Sequence, residues 1–187
     1  MNVTLRIATP DDAKSLLEIY SYYIANSVAT FHEAPKTLVE YRKQIETLSA
    51  TYPFFVAEAD GRFLGFANAE PVRPQSGYRY SVELTIYLHP QAPKHAGIGS
   101  RLYRAVLGCL SSQGFVNAYA CICSENAESI ALHKYFGFEQ VALCENCAFK
   151  HGRWLSTVWM RKRLNTPVVP AIEPIPFQTY QNQWKDE

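Results

Sequence analysis

Three features of this chain carry side chains or backbone suited to reactivity: a carboxylate, Glu83, in an alternating apolar run; the stretch Lys94-His95-Ala96-Gly97-Ile98-Gly99-Ser100; and a histidine, His133. The glycine stretch is the most informative, because it follows a strand-like run and opens into an amphipathic helix. The first N–H groups of a helix have no intrahelical partners, and the macrodipole there favours negative charge, so such a loop can bind a phosphate group through backbone donors. Gly97 and Gly99 carry no Cβ and permit close approach. The same residues also read as turn and cap chemistry alone. No Gly-Lys-Ser/Thr follows, so the loop is not a Walker motif, and the third glycine of a dinucleotide fingerprint is missing. Glu83 reads either as a proton acceptor or as an exposed strand residue, and His133 either as a proton donor or as a packing residue.

The strand before the loop alternates Val82, Leu84, Ile86 and Leu88 with Glu83, Thr85 and Tyr87, a period of two that places Glu83 and Thr85 opposite the apolar face. Pro90 stops it. Helical spacing of Leu102, Val106, Cys109 and Leu110 then predicts a helix ended by Gly114. Upstream, a strand is expected over 4–8 and a helix start at Thr9-Pro10-Asp11-Asp12, with an apolar stripe of Leu16, Ile19, Tyr20, Tyr23 and Ile24. A second helix is expected over 37–49 with Leu38, Tyr41, Ile45 and Leu48 inward, then strands over 54–59 and 63–70 about the Asp60-Gly61 turn. Downstream come a strand over 118–123, a short helix capped by Asn126 and ended by Gly137, and strands over 139–150 and 154–163 joined at His151-Gly152. This order predicts an α/β fold with a mixed sheet flanked by helices. One domain over 1–164 is expected, with prolines 167, 170, 174 and 176 marking 165–187 as an extended tail.

Composition excludes several classes. A formal net charge of +1 over 187 residues gives no bulk attraction to nucleic acid or to an anionic membrane. The first residues lack the apolar core of a signal peptide and no segment reaches spanning length, which makes cytoplasmic residence the expectation. Five cysteines, an odd number, argue against a disulfide framework. Cys121-x-Cys123 and Cys144-x-x-Cys147 lack paired zinc-knuckle spacing, so buried reduced thiols are expected rather than a metal site.

In this order the landmarks Arg6-x-Ala8, Ala29-Thr30-Phe31, Ser81-Val82-Glu83, Gly97-Ile98-Gly99, Asn126-x-x-Ser129, His133-x-x-x-Gly137-Phe138 and Phe149-Lys150-His151-Gly152-x-Trp154 resemble the GNAT N-acetyltransferases, and within them the phosphinothricin (methionine sulfone/sulfoximine) acetyltransferase family, over roughly residues 5–164. The resemblance implies a mostly antiparallel mixed sheet splayed between its fourth and fifth strands. It implies acetyl-CoA as co-substrate, no metal, a small-molecule amine as partner and a homodimer. It assigns the pantetheine arm to the strand positions Ile86, Tyr87 and Leu88. The pyrophosphate falls to Lys94, His95, Ala96, Gly97, Ile98, Gly99 and Ser100, and the pantetheine region also to Asn126 and Ser129. Lys94 and His95 stand where an Arg or Gln opens the family loop, which keeps a positive charge but loses guanidinium geometry.

The chemistry that the resemblance implies is acetyl transfer to the α-amine of a small amino acid or analogue, by direct attack in a ternary complex. Glu83 then accepts the proton of the attacking amine, and His133 protonates the departing thiolate. Phe31, Arg73 and Tyr78 bound the acceptor, with Arg73 suited to an α-carboxylate. Gln75 occupies the place of a second basic residue, which weakens the case for a phosphinate tail and leaves neutral polar tails. The alternatives are transfer to another small amine and a catalytically idle acetyl-CoA-binding module.

Overall fold

A computed structural model describes residues 2–186; Met1 and Glu187, the outer ends of the expected domain and tail, lie outside the described residues. Strand β1 (Thr4–Ile7) leads to a 3-10 turn (Pro10–Asp12) and helix α1 (Ala13–Asn26). Asp12 closes a capping box on the 3-10 turn by accepting from the Thr9 amide at 2.8 Å, while Arg6 grips its two oxygens at 2.7 and 2.9 Å. Thr37 caps helix α2 (Leu38–Thr51) in a reciprocal box with Glu40. Its buried side begins at Tyr41 and runs through Ile45 and Leu48; Leu38, expected inward, is 47% exposed because it belongs to the first turn, where the chain has not yet reached the sheet.

Strands β2 (Phe54–Ala59) and β3 (Arg62–Pro71) form the hairpin expected at Asp60-Gly61, both with positive φ. Then come β4 (Ser81–Leu88), α3 (Ile98–Gln113), β5 (Asn117–Cys123), α4 (Ala127–Tyr135), β6 (Glu139–Lys150) and β7 (Arg153–Arg163). The seven strands lie in the order β1-β2-β3-β4-β5-β7-β6, antiparallel throughout except where β4 runs parallel to β5. That parallel pair meets only at Ser81–Asn117, Val82–Ala118 and Glu83–Tyr119. Beyond Glu83 the strands part, and the rest of β4 has β3 as its one ladder partner.

Two apolar clusters sandwich the sheet. On one face α3 packs Leu102, Tyr103, Val106 and Leu110 against Val82, Leu84, Ala67 and Ala118. On the other, α1 and α2 cover Phe54, Val56 and Phe66 with Leu16, Ile19, Tyr41 and Ile45. The alternation of β4 is thus split between faces, with Val82 and Leu84 under α3 and Tyr87 packed with the second cluster.

The segment after Leu164 departs from the expected extended tail. It runs without helix or strand to Pro176, then forms a short helix, α5 (Phe177–Tyr180), and a 3-10 turn. Phe177 is fully buried, Trp184 lies 4.5 Å from Phe55 ring to ring, and Asp186 accepts from the Leu5 amide at 2.8 Å. Prolines remove helical hydrogen bonds locally, but they do not prevent the aromatic residues after them from closing the α3 side of the core. The five cysteines are free, as expected; only Cys109 and Cys123 are buried, while Cys147 is exposed at the edge strand β6. Phe177→Ala is expected to cost about 3–5 kcal/mol of unfolding free energy, as for other buried aromatic truncations, measured by urea denaturation. A loss below about 1 kcal/mol would show that this segment does not belong to the core.

Candidate functional site

The site begins with the unpaired edge of β4. The His89 amide donates to Leu64 O at 2.8 Å, so the odd-numbered residues of β4 face β3. Leu84, Ile86 and Leu88 therefore turn their backbone groups toward the gap opened by β5. Tyr23 already donates to Leu88 O at 2.7 Å and the Glu83–Tyr119 bridge uses the Leu84 N–H, which leaves that edge the Leu88 N–H, both groups of Ile86 and the Leu84 carbonyl for an extended ligand. Tyr87, whose backbone belongs to the β3 ladder, instead sends its hydroxyl to Ala29 O at 3.0 Å and braces the loop after α1.

At the far end of this edge, α3 starts without a side-chain cap. Gly97 occupies the cap position at φ 75° and His95 also lies at positive φ, 58°, so the loop folds back on itself and exposes the amides of the first turn. The first intrahelical bond runs from Arg101 N to Gly97 O at 2.9 Å. A Cβ on Gly97 would meet nothing within 4 Å, whereas one on Gly99 would stand 3.7 Å from Ile86 and Leu88 side chains. The amide cluster is therefore open to solvent and adjacent to the free strand edge. Lys94, His95 and Ala96 are exposed beside it, Ser100 is half-buried in the first turn, and Ile98 is buried as its anchor. These residues fit a pyrophosphate followed by an extended amide-bearing arm.

Asn126, capping α4, accepts from the Ser129 amide at 3.1 Å and so spends its side-chain oxygen within the chain. Four residues on, His133 is 2% exposed. Its Nδ1 donates to Ser129 O at 2.7 Å, and its Nε2 meets the Tyr103 hydroxyl. Burial holds its pKa below the usual histidine value, so the ring is neutral. With Nδ1–H given to a carbonyl and Nε2 accepting from a phenol, the ring has no proton directed at a departing thiolate. The expected acid role is thereby corrected to a tie between α3 and α4.

Glu83 is half-buried where β4 and β5 part. Its pKa is pushed up to about 7, first by burial and then by the charge of Glu70, while Arg73 and the Cys121 amide pull the other way. Glu70 stands directly across from Glu83 in the β3–β4 register. Arg73 is exposed, with its guanidinium 5.5 Å from the Trp159 ring. The loop after α1 is fixed by Lys150, 2% exposed, whose Nζ donates to Ser27 O at 2.8 Å and Thr30 O at 2.7 Å. Phe31, half-buried, follows the clamped Thr30, while Tyr78 is 53% exposed in the loop before β4. A cavity of about 240 Å³ lies on the same face as Glu83, lined among others by Tyr20, Lys36, Asn68, Glu70, Thr85 and Tyr87. Glu70 and Tyr103 did not emerge from the sequence, and Lys150 appeared there only within the landmark Phe149-Lys150-His151-Gly152-x-Trp154, without a role. The period of two marks Glu70 only once the strand register is known, since a nine-residue connection separates β3 from β4.

The described residues thus place an uncapped helix start and a carboxylate of raised pKa along the unpaired edge of β4. A family model described as acetyltransferase (GNAT) domain matches residues 5–159. A phosphinothricin N-acetyltransferase of Alcaligenes faecalis is 34% identical over 164 residues, 87% of this chain and 83% of that protein. An L-methionine sulfoximine/L-methionine sulfone acetyltransferase of Pseudomonas aeruginosa is 32% identical over 88% of this chain and 96% of its own. The crystal structure of a GNAT superfamily phosphinothricin acetyltransferase of Sinorhizobium meliloti in complex with AcCoA superposes with a TM-score of 0.86 at 35% identity, covering 95% of this chain and 99% of that one.

The raised proton affinity of Glu83 carries a stability signature. Its carboxyl binds a proton more tightly folded than unfolded, so stability falls as pH rises from about 4.5 to about 7, where the folded group ionises. Glu83→Gln is expected to flatten this slope and to gain stability over the parent chain at pH 8. An unchanged difference between pH 5 and pH 8, read from denaturant midpoints, would show Glu83 to be freely solvated.

Proposed function

Since the chain belongs to the GNAT acetyltransferase family, we propose that it is an N-acetyltransferase carrying acetyl from acetyl-CoA to the α-amine of a small amino acid or analogue. The observation that supports this most directly is the placing of Glu83, with a pKa of about 7, at the point where the free edge of β4 begins. In this reading the co-substrate lays its pyrophosphate on the first-turn amides of α3, its arm along Leu84 and Ile86, and its thioester near Glu83. Asn126 and Ser129 border the arm through the start of α4, Asn126 chiefly by fixing that helix start.

The acceptor enters as an ammonium group, which has no lone pair to attack. Glu83 removes a proton directly or through a water, the nitrogen then bonds to the thioester carbon, and the C–S bond breaks, the departing thiolate taking up the second proton that the nitrogen sheds as the amide forms. A carboxylate with a pKa near 7 suits this task, because it is substantially ionised at neutral pH while still binding a proton well. Arg73 receives the acceptor carboxylate, and Phe31 and Tyr78 wall the entrance. His133 acts as a positioning residue, holding α3 and α4 in register through Tyr103. The cavity, smaller than the ~300–1,000 Å³ common for drug-sized ligands, suits a single amino acid better than a peptide. We also infer a cytoplasmic homodimer, in which the exposed Val141, Leu143, Phe149 and Trp154 of the β6–β7 hairpin supply an apolar face.

Steady-state kinetics with acetyl-CoA and a panel of amines test the reading. L-Amino acids with polar tails are expected to be preferred over polyamines and peptides. Glu83→Gln is expected to lower kcat/KM by about 10²–10⁴-fold and to remove the acid limb of the pH profile near 7, while leaving acetyl-CoA binding by calorimetry intact. Full turnover of this variant across pH would exclude Glu83 as the base, and the absence of turnover by the parent chain on every amine would leave a binding module.

A further inference from the structure

Glu70 and Glu83 face each other across the β3–β4 ladder, a position in which Cβ atoms stand roughly 5 Å apart and like charges destabilise a sheet. Nothing nearby neutralises Glu70: among the described residues its carboxylate forms neither an ion pair nor a hydrogen bond. Lys36, the cation whose field reaches it, donates instead to Gln44 at 2.7 Å. Burial accordingly holds the Glu70 pKa above the ordinary range.

This carboxylate lines the cavity floored by Thr85 and Tyr87 of β4 and Asn68 and Phe66 of β3; Glu83 is not itself in the lining but precedes Thr85 in the same β4 row and pairs with Glu70. Opposite the sheet, the cavity is closed by Tyr20, Tyr41, His32, Lys36 and Gln44. Its charge is therefore uneven, negative at the floor beside Glu83 and positive at the Lys36 rim. His32 adds no cation there at neutral pH, because burial and the nearby Lys36 and Lys150 depress its pKa.

Resting on the acceptor reading above, we propose that Glu70 is a specificity-determining residue. It makes the cavity a subsite for an acceptor tail that is neutral and carries both a hydrogen-bond donor and an acceptor, and it rejects a tail bearing negative charge. A sulfoximine or a carboxamide meets the requirement, its N–H directed to the Glu70 floor and its oxygen to the Lys36 rim. A phosphinate or a second carboxylate brings a third negative charge against Glu70 and Glu83 in a partly desolvated space. The acceptor ammonium, held at the Glu83 end, relieves the repulsion between the two carboxylates.

The test pairs L-methionine sulfoximine with phosphinothricin, of similar size but different tail charge, on the parent chain, Glu70→Gln and Glu70→Ala. The parent is expected to favour the sulfoximine by about tenfold or more in kcat/KM, the difference lying in KM. Glu70→Gln is expected to reduce that ratio at least threefold by improving the phosphinate acceptor, and to move the acid limb of the profile to lower pH as Glu83 loses a negative neighbour. Arg73 and the Cys121 amide, which also face Glu83, are unchanged. Calorimetric binding of both acceptors to the acetyl-CoA-loaded protein gives a second readout. Charge-selective binding that depends on Glu70, but without turnover, overturns the acetyltransferase reading and sustains this one. Equal ratios in parent and variants, or no binding of either acceptor, overturn this one.

Discussion

Three residue pairs between β4 and β5 are the whole of their union, and the rest of the molecule is arranged around that brevity. A parallel strand pair joined through a crossover helix ordinarily continues for the length of both strands. Here the partners separate after Glu83, and β4 is left with peptide groups aimed at empty space. Buried or half-buried peptide groups do not remain unpaired without cost. The cleft is therefore a place where a ligand completes a hydrogen-bond ladder that the protein itself leaves unfinished.

Two features keep that gap from collapsing. The start of α3 wedges against it, with Gly99 packed on Ile86 and Leu88, so the helix amides and the strand edge are held at a fixed separation. On the other side β5 is claimed by seven antiparallel partners on β7, which hold it away from β4. The tyrosine cluster of Tyr20, Tyr23 and Tyr87 then ties the α1 side of β4 in place, with Tyr23 anchored on Leu88 O. The widening is maintained by packing on both flanks rather than by any loop, which suits a site that must present donors at fixed positions.

Much of this is legible in the sequence. Alternation in β4, the Asp60-Gly61 turn, the glycines at both ends of α3 and the Asn126 cap each depend on local backbone chemistry, and local chemistry is written in adjacent residues. What escaped reading depends on register and on distance along the chain. Glu70 becomes significant only when β3 is aligned with β4, and Lys150 only when the β6–β7 hairpin reaches back 120 residues or more to the loop after α1. His133 was recognised as notable, but its neutral, doubly engaged ring depends on Tyr103, thirty residues away. The tail was misread because proline spacing announces an extended backbone and says nothing of where Phe177 and Trp184 settle.

That C-terminal segment has a bearing on how the protein is made. Phe55 lies early in the chain, yet its ring is covered by Phe177 and Trp184, and the Leu5 amide of β1 donates to the Asp186 carboxylate. During synthesis the α1–α2 layer can assemble as soon as β3 has emerged, whereas the cover of Phe55 waits for residues 177–186, more than a hundred positions later. Until then the Phe55 ring remains wet, so the nascent polypeptide carries an uncovered aromatic patch through most of its elongation.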